Sequence, residues 1–267
     1  MTQARSANER YHDRIAPKYD EIYDSVYWRF YREVSWRHLV RWLPDRRPAK
    51  AADIGCGTGH FGIRLMKAGY STLFVDLSRA MLECAAERIE REGVKGEFEL
   101  YKRDAQDLHG IDDGLLQFAT LQGDPLSFCE KPQRAVAELH RVLAPGGVVA
   151  VSVDHVAAGP APLLQRGDLA ALERVVRRGE TEWLADHEDE RFPMRMFDAD
   201  GLEKLFRNAG FEPVSLIGKT CLVQRQHEAL LAERGNHLRL LELEESVHGR
   251  RSYWGLAHHL QLVARRA

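Results

Sequence analysis

The most regular stretch of this chain is Ala51-Ala52-Asp53-Ile54-Gly55-Cys56-Gly57-Thr58-Gly59-His60. A short apolar run ends here in three glycines at alternate positions, and a segment of helical period follows from Phe61 to Ala68. The pattern predicts a strand, a tight turn and a helix N-terminus. Backbone N–H groups and the positive end of a helix meet at such a turn, so it can bind a ligand that carries oxygen atoms.

Two cofactor patterns fit the spacing of these glycines. Gly55-x-Gly57-x-Gly59 fits the glycine loop of methyltransferases with a nucleoside cofactor, whereas Gly57-x-Gly59-x-x-Gly62 fits the dinucleotide fingerprint. Asp76 closes the next predicted strand, where a carboxylate can accept both ribose hydroxyls in either class. Asp104-Ala105 ends the third strand, where a carboxylate and the following N–H can bind an adenine edge. This last feature favours the methyltransferase pattern.

Strand and helix patterns alternate five times after residue 49, which predicts a parallel sheet covered on both faces. The predicted strands are 50–54, 71–75, 96–102, 115–121 and 148–153. A strand at 211–218, a helix at 226–246 and a strand at 255–264 are predicted to follow. Ligands bind beyond the carboxyl ends of such strands. We therefore expect one shared site formed by the strand-end residues Gly55, Asp76, Asp104, Gln122, Asp124, Asp154 and His155.

Aromatic side chains flank this predicted core on both sides. Residues 8–43 have a helical period that Pro17 interrupts, and a basic turn at 45–48 follows. Packing on a sheet edge is the commoner role for such aromatics, and a lid over a nucleoside cofactor is the functional one. Residues 156–197 interrupt the alternation with a predicted helix at 161–178 and an apolar-basic tail that suits a substrate wall.

Composition argues against several classes of protein. The chain has 267 residues, with 38 basic against 40 acidic side chains, which disfavours a mainly nucleic-acid-binding surface. No apolar run approaches the roughly 20 residues of a membrane span, and the N-terminus is too polar for a signal peptide. The four cysteines form no CxxC pair, which favours reduced thiols in a cytoplasmic protein. We expect no metal, nucleic-acid or membrane partner, and a monomer or homodimer.

Taken in order, these blocks resemble class I S-adenosylmethionine-dependent methyltransferases of the small-molecule, methyltransferase-11-like type, related to the quinone-biosynthesis methyltransferases. The resemblance covers residues 11 to about 153 and, more loosely, 198–218. It implies an α/β, Rossmann-like, doubly wound sheet of seven strands, six parallel and the last antiparallel, inserted between the fifth and sixth. The matching blocks are 11–20, 53–59, 75–78, 104–105 and 138–147.

The resemblance implies a single methyltransferase domain over residues 1–267. Its parts are a helical cap (1–45), a cofactor-binding core (49–155), a substrate-side insertion (156–197) and the C-terminal part of the sheet (198–267). The family usually opens its fourth strand with Phe-Asp, whereas this chain has Leu116-Gln117-Phe118-Ala119 without that acid. The sixth-to-seventh connection, usually a short hairpin, is stretched here by a helix. Both departures leave the substrate unassigned.

The cofactor implied is S-adenosyl-L-methionine, with S-adenosyl-L-homocysteine as product. The residues expected to bind it are Tyr11, Tyr19, Gly55, Cys56, Gly57, Gly59, Asp76, Leu77, Asp104, Ala105 and Gln122. The residues expected to bind substrate are Tyr23, Tyr27, Phe192, Met194, Arg195 and Met196.

Methyl transfer from a sulfonium is an in-line displacement, in which alignment and exclusion of water supply much of the rate. His155 and Asp124 are the candidate bases, with a structural hydrogen bond and a turn as the competing explanations. The leading prediction is a small-molecule acceptor of apolar or aromatic character. Methylation of nucleic acid or protein, and a non-methylating cofactor binder of the same fold, are the alternatives.

Overall fold

Buried strands and helices alternate through the first part of the chain in the computed structural model, which describes residues 5–45 and 49–267. The predicted basic turn therefore lies largely outside the described residues. The strands are β1 (Lys50–Ile54), β2 (Ser71–Asp76), β3 (Phe98–Lys102), β4 (Leu116–Leu121) and β5 (Leu143–Asp154). The helices between them are α4 (His60–Lys67), α5 (Arg79–Arg91) and α6 (Pro132–Val142).

The connection between β3 and β4 differs from the predicted alternation. Residues 103–115 form a loop without a helix, and Gly110 and Gly114 in it have φ of +88° and +67°. Backbone in this left-handed region favours turns over helix. The other connections each bury one helix face on the sheet, so β1, β2, β4 and β5 are almost completely buried, whereas the edge strand β3 is mostly exposed.

Seven strands within residues 5–45 and 49–267 form the main sheet, in the order β3-β2-β1-β4-β5-β9-β8. The last two are β8 (Phe211–Lys219) and β9 (His259–Arg266). Strand β9 lies antiparallel to both β5 and β8, and the other neighbours are parallel. The predicted fold class is confirmed, including an antiparallel last strand between the fifth and sixth. Strand order reverses between β1 and β4, which is where such sheets bind ligands.

Three N-terminal helices form a cap beside the main sheet: α1 (Ala7–Ile15), α2 (Tyr19–Ile22) and α3 (Val26–Leu39). Ser6 and Ser25 begin α1 and α3 because their hydroxyls accept hydrogen bonds from N–H groups of the first turn. Pro17 lies in a short 3₁₀ turn between α1 and α2, so the break predicted there is present. The buried face of α3 packs on Val223, Leu231 and Leu241.

The segment after β5 contains two helices and a hairpin: α7 (Pro160–Arg166), α8 (Leu169–Arg178), β6 (Glu180–Trp183) and β7 (Phe192–Arg195). The prediction of one helix over 161–178 is wrong. Gly167, with φ of +69°, ends α7, and the Asp168 side chain accepts a hydrogen bond from the Ala171 N–H at 3.0 Å to begin α8. The hairpin was not predicted because two strands of four residues are too short to show an alternating pattern.

The C-terminal part contains α9 (Ala199–Asn208), α10 (Glu228–Ala232), α11 (Asn236–Val247) and α12 (Arg251–Trp254). The helix predicted over 226–246 is split because Gly235 adopts φ of +87°. Strand β9 starts four residues later than predicted because Gly255 follows directly on α12. Across the described part of the chain, none of the helices combines the length and apolarity needed to cross a membrane.

Candidate active site

The glycine turn lies between β1 and α4 at the carboxyl edge of the main sheet. Gly55, Gly57 and Gly59 have φ of +67°, +51° and +84°, a region that side chains other than glycine's rarely adopt. A Cβ on Gly55 would lie 2.4 Å from Cγ of Pro125, so only glycine fits there. The N–H groups of Gly55 and Cys56 both donate to the Val75 carbonyl, which fixes the turn against β2.

Gly62 has a structural role that explains the second glycine spacing. It lies within α4, where a Cβ would approach Cε1 of Phe74 to 2.2 Å. Its N–H donates to Oδ2 of buried Asp53 at 2.7 Å, and burial raises the pKa of Asp53 to about 7. Gly62 therefore lets α4 pack closely on β2. This packing explains the glycine at that position without a dinucleotide cofactor.

Asp76 connects the end of β2 to the glycine turn. Its Oδ2 accepts a hydrogen bond from the Gly57 N–H at 2.8 Å, and its Oδ1 accepts from the Ser78 N–H at 2.9 Å. Burial raises the pKa of this carboxyl, and these two hydrogen bonds oppose the shift. Each carboxylate oxygen retains a lone pair for a further donor, such as one of two neighbouring hydroxyls.

Asp104 follows β3 and, like Asp76, accepts hydrogen bonds at the carboxyl end of its strand. Its Oδ1 accepts hydrogen bonds from the backbone N–H and the side-chain amide of Gln106, at 2.8 and 3.2 Å. The carbonyl of the Gln106 side chain in turn accepts from the Lys131 N–H at 2.7 Å, which ties this loop to the start of α6. Asp104 and Ala105 thus present a carboxylate and a backbone edge at a fixed position.

These elements surround a cavity of about 230 Å³. Its lining includes most of the residues predicted to bind the cofactor: Tyr11, Tyr19, Gly55, Cys56, Gly57, Asp76, Leu77, Asp104, Ala105 and Gln122. Gly59 is not in the lining, because a Cβ there would face Ala85 and Phe74. The carboxyl ends of the five strands β1 to β5 therefore meet around this one cavity.

Aromatic side chains cover the cavity, and we call this set the aromatic roof. Tyr19 and Tyr23 have ring centroids 4.7 Å apart, and Trp28 lies 5.1 Å from Tyr23. Burial raises the pKa of Tyr23 to about 12, so its hydroxyl is neutral near pH 7. The members of the aromatic roof are Tyr11, Tyr19, Tyr23, Trp28, Tyr31, Phe128 and Trp183.

Polar contacts hold the cap over the cavity. The Thr58 hydroxyl in the glycine turn donates to Oδ1 of Asp20 at 2.7 Å, and the Ser78 hydroxyl donates to Oδ1 of Asp13 at 2.6 Å. Arg14 donates from Nε to both carboxylate oxygens of Glu190 at 2.8 Å, which joins the cap to the insertion. The cap is thus attached both to the cofactor loops and to the segment after β5.

A polar cluster forms the end of the cavity where β5, β9 and β8 lie side by side. Asp154 pairs with His259 across the β5–β9 register, and His259 pairs with Lys219 across the β8–β9 register. Nε2 of His259 lies 3.5 Å from Oδ2 of Asp124 and 3.6 Å from Oδ1 of Asp154. We call Asp124, Asp154, Lys219 and His259 the polar cluster.

Burial raises the pKa of one acid of the polar cluster, Asp154, and lowers the pKa values of its two bases, His259 and Lys219. It lowers the pKa of His259 to about 4 and that of Lys219 to about 8. Burial and the charge of Asp124 raise the pKa of Asp154 well above its usual range. The buried Nζ of Lys219 lies 3.8 Å from the centroid of the Tyr31 ring. Near neutral pH, the imidazole is therefore uncharged.

Asp124, Asp154 and His259 each direct one ligand atom toward the same point, within 4.8 Å of one another. That spacing suits a metal ion as well as an oxygen atom of a ligand. The positive charge of buried Lys219 already acts on both carboxylates, which disfavours binding of a cation there. The expectation of no metal stays a prediction. His258, which precedes β9, is exposed.

The structure does not bring His155 to the cavity. His155 is buried, and its Nδ1 lies 3.0 Å from the Ala257 carbonyl oxygen. Side chains alternate along extended backbone, so with Asp154 directed into the cavity its neighbour points to the other side. His155 therefore makes the structural hydrogen bond that was named above as the competing explanation. The other candidate base, Asp124, does line the cavity.

Most of the residues predicted to bind substrate also lie outside the lining. Tyr23 is in it, but the Tyr27 hydroxyl is buried 3.1 Å from Oγ1 of Thr220. Phe192 lies behind the aromatic roof, with its ring stacked on Trp183 at 6.3 Å. The following residues of this stretch turn toward α8 or pair within the hairpin: Met194, Arg195 and Met196.

Sequence reasoning missed residues that the structure places in or behind the lining. They share no local motif, because they come from the cap, from the turn after β4, from the hairpin, from the end of β8 and from the start of β9. The one available signal was the implied order of the sheet, which places the start of the last strand beside the end of the fifth. The missed residues are Trp28, Tyr31, Arg32, Phe128, Trp183, Lys219 and His259.

The fold and the carboxyl-edge site together define a nucleoside-cofactor methyltransferase, and comparison with known proteins agrees. Residues 51–147 match the family model of a methyltransferase domain. The chain is 30% identical over 206 residues to the ubiquinone/menaquinone biosynthesis C-methyltransferase UbiE of Roseobacter denitrificans, covering 74% of this chain and 80% of that protein. The chain belongs to the class I S-adenosylmethionine-dependent methyltransferases, and S-adenosylmethionine is the cofactor.

The match to one further relative spans a smaller part of that protein, and two solved structures resemble this chain in fold alone. The 2-phytyl-1,4-naphtoquinone methyltransferase of Nostoc punctiforme is 31% identical over 152 residues, which span 55% of this chain and 64% of the relative. An S-adenosylmethionine-dependent methyltransferase from Mesorhizobium loti has a TM-score of 0.57 at 18% identity, covering 87% of this chain and 98% of that one. Geranyl diphosphate C-methyltransferase from Streptomyces coelicolor has a TM-score of 0.58 at 13% identity, covering 88% and 79%.

Proposed function

We propose that this chain transfers a methyl group from S-adenosylmethionine to a small aromatic or otherwise apolar acceptor. The observation that carries the proposal is the aromatic roof, which covers the same cavity that the glycine turn, Asp76 and Asp104 line. The aromatic rings in its lining suit a ring system, because aromatic side chains gain from contact with other rings. One relative is named as a 2-phytyl-1,4-naphtoquinone methyltransferase and another as a ubiquinone/menaquinone biosynthesis C-methyltransferase, which agrees with a ring-containing acceptor.

In this proposal the cofactor lies along the edge of the main sheet. The glycine turn leaves room for the methionine part, since Gly57 bears no side chain toward Tyr19. The free lone pairs of Asp76 accept the ribose hydroxyls, and Leu77, Asp104 and Ala105 enclose the adenine. Gln122 follows β4 and its buried Oε1 has no hydrogen-bond partner among the described residues, so it is available near the sulfonium.

When bound, the cofactor supplies an electrophilic methyl group on a positively charged sulfur. The chain's own contribution is to align the acceptor with that methyl and to exclude water. Tyr19 and Tyr23 serve this because their rings pack together over the cavity while their neutral hydroxyls need no counter-ion. The apolar roof also removes competing water from the reacting atoms.

We further propose that the protein acts in the cytoplasm as a monomer or homodimer. Its four cysteines are free and three of them are buried, which agrees with a reducing compartment. Fractionation of tagged protein and analytical ultracentrifugation test these two points separately.

A methyl-transfer screen with labelled S-adenosylmethionine tests the function. The acceptors are quinols, phenols, aromatic amines, carboxylic acids, a protein mixture and a polynucleotide, with products identified by mass spectrometry. We expect transfer to at least one ring-containing small molecule, and much less transfer by an Asp76→Ala control at the same cofactor concentration. Transfer only to polynucleotide or protein would refute the proposal, and so would tight binding of S-adenosylhomocysteine with no transfer to any acceptor.

A further inference from the structure

The polar cluster contains more unsatisfied polar atoms than a buried region usually tolerates. Among the described residues, no hydrogen-bond partner exists for Oδ1 of Asp124, Nδ1 of His259, Nζ of Lys219 or the Tyr31 hydroxyl. Each buried polar atom left unpaired costs about 1–3 kcal/mol. Three of the four residues, Tyr31, Asp124 and His259, line the cavity, which indicates a place built for a polar group of a ligand.

The backbone of Asp124 supports the same conclusion. It adopts φ of +68°, one of two such values at non-glycine residues in the described part of the chain. The Ser152 hydroxyl accepts hydrogen bonds from the N–H groups of Gly123 and Asp124, at 3.1 and 3.2 Å, and so holds this conformation. Strain of this kind is concentrated at functional sites, where the surrounding structure maintains it.

The three atoms that converge in the cluster leave room for one oxygen atom. Nε2 of His259 and the carboxylate oxygens of Asp124 and Asp154 all lie within 4.8 Å of one another. An oxygen placed between them is within hydrogen-bond reach, about 2.7 Å, of all three. The arrangement suits a hydroxyl, which can donate one proton and accept hydrogen bonds at the same time.

We propose that the polar cluster binds an ionisable hydroxyl of the methyl acceptor and that His259 takes its proton at Nε2. The inference rests on the proposed function for the methyl transfer itself. Asp124 and Asp154 are positioning residues whose oxygens lie 3.5 and 3.6 Å from Nε2, and the charge of Asp124 stabilises the imidazolium formed. Lys219 and the Tyr31 hydroxyl stabilise the negative charge that the acceptor oxygen gains.

The reaction balances with no further co-reactant. The hydroxyl proton moves to His259, and the oxygen or its ortho ring carbon then forms the bond to the methyl carbon. The methyl–sulfur bond breaks, and its electron pair stays on sulfur in S-adenosylhomocysteine. If the ring carbon is methylated, that carbon loses its own proton and the oxygen regains one. His259 then releases its proton to water as the product leaves.

Groups on every neighbouring element influence the proton affinity of His259. Tyr31 on α3 lies edge-on to its ring at 5.1 Å, Asp124 follows β4, Asp154 ends β5 and Lys219 ends β8. Burial lowers its pKa to about 4; the charge of Asp124 acts to raise that pKa, and the charges of Lys219, His258 and His155 act to lower it. An acceptor oxygen that becomes negative beside the imidazole raises the proton affinity again, so transfer is favoured only with the acceptor in place.

A titration of 4-nitrophenol tests this without any turnover, because its phenolate has a visible absorbance. The probe is added to wild type, His259→Gln and His258→Gln, each saturated with S-adenosylhomocysteine. We expect the wild type and the exposed-histidine control to lower the apparent pKa of the bound probe relative to His259→Gln. Equal values in all three proteins, or no binding of the probe by wild type, would overturn the proposal.

Turnover of the best acceptor from the screen is the second measurement. The expected result for His259→Gln is a kcat about 100-fold lower, with the difference shrinking as pH rises and the acceptor ionises in solution. Affinity for S-adenosylhomocysteine should be unchanged, which shows that the variant folds. Loss of wild-type activity with EDTA and its return with Mg²⁺ would identify a cation site instead. If no acceptor is methylated, the proposed function fails, while the probe titration still decides this inference.

Discussion

At the scale of single residues, one carboxylate connects the turn that admits the cofactor to the strand that follows. Asp76 uses each of its oxygens for one backbone N–H, from Gly57 and from Ser78, and keeps a lone pair on each. The same side chain therefore shapes the glycine turn and remains able to bind a diol. This double role makes it the most informative residue for testing the cofactor site.

The substitution Asp76→Ala should weaken binding of S-adenosylhomocysteine by more than tenfold, which corresponds to more than about 1.4 kcal/mol. The variant loses the acceptor for the ribose hydroxyls and releases the Gly57 N–H. Isothermal titration calorimetry measures the affinity, and circular dichroism checks the fold. Asp107→Ala, at an exposed carboxylate in the loop after β3, is the matched control and should bind as wild type does. Unchanged affinity in Asp76→Ala would remove the assignment of the diol contact.

At the scale of elements, the cap is attached to the cofactor loops through charged side chains. Asp20 at the start of α2 accepts a hydrogen bond from Thr58 and lies 3.3 Å from both His60 and Arg88, on α4 and α5. Burial alone would raise its pKa, but the hydrogen bonds from His60 and Thr58 and the charge of Arg88 hold that pKa well below the ordinary 3.8. The cap is therefore bound more tightly when Asp20 is ionised.

This pKa shift predicts a pH dependence of the stability that Asp20 contributes. The folded-state pKa lies below the unfolded value, so the contribution is fully present above about pH 4 and is lost as pH falls through the folded pKa. The difference in unfolding free energy between wild type and Asp20→Asn should be constant from about pH 5 to pH 7 and shrink below about pH 4. Urea unfolding across this range measures it.

Glu21→Gln provides the control for that experiment, because Glu21 lies on the same short helix and is exposed. Its stability difference from wild type should be small at neutral pH. A difference for Asp20→Asn that grows toward acid pH would contradict the assigned direction of the shift.

At the scale of the whole molecule, the cavity lies where the cap, the carboxyl edge of the main sheet and the insertion meet. All three contribute to the aromatic roof: the cap directly, the carboxyl edge through the turn after β4, and the insertion through the hairpin with Trp183. A ligand in the cavity therefore contacts elements that are far apart in the chain. Binding should stabilise the cap more than elements that do not line the cavity.

Hydrogen exchange with and without S-adenosylhomocysteine measures this effect. At a ligand concentration of 100 times Kd, local opening of the cap should cost up to about 2.7 kcal/mol more, which slows its exchange about 100-fold. Amides of α1 and α2 should show the change, and those of α8, which lies outside the lining, should show little. Equal protection of α8 and the cap would contradict a ligand site under the cap.

The cofactor half of this site was predictable from the sequence alone. Gly55, Asp76 and Asp104 each stand at a strand end within a local strand–turn–helix or strand–loop unit, so their positions follow from short-range geometry and from the parallel order of the strands. The sequence thus determined the fold class and the cofactor.

Only the tertiary structure decided which side chains complete the acceptor half. His259 joins Asp154 and Lys219 because β9 runs antiparallel between β5 and β8, in a register that no local pattern specifies. His155 is excluded by the alternation of side chains beside Asp154, although it stands at the expected strand end. The physical reason is that strand pairing between distant segments, rather than local propensity, sets which side chains face the cavity.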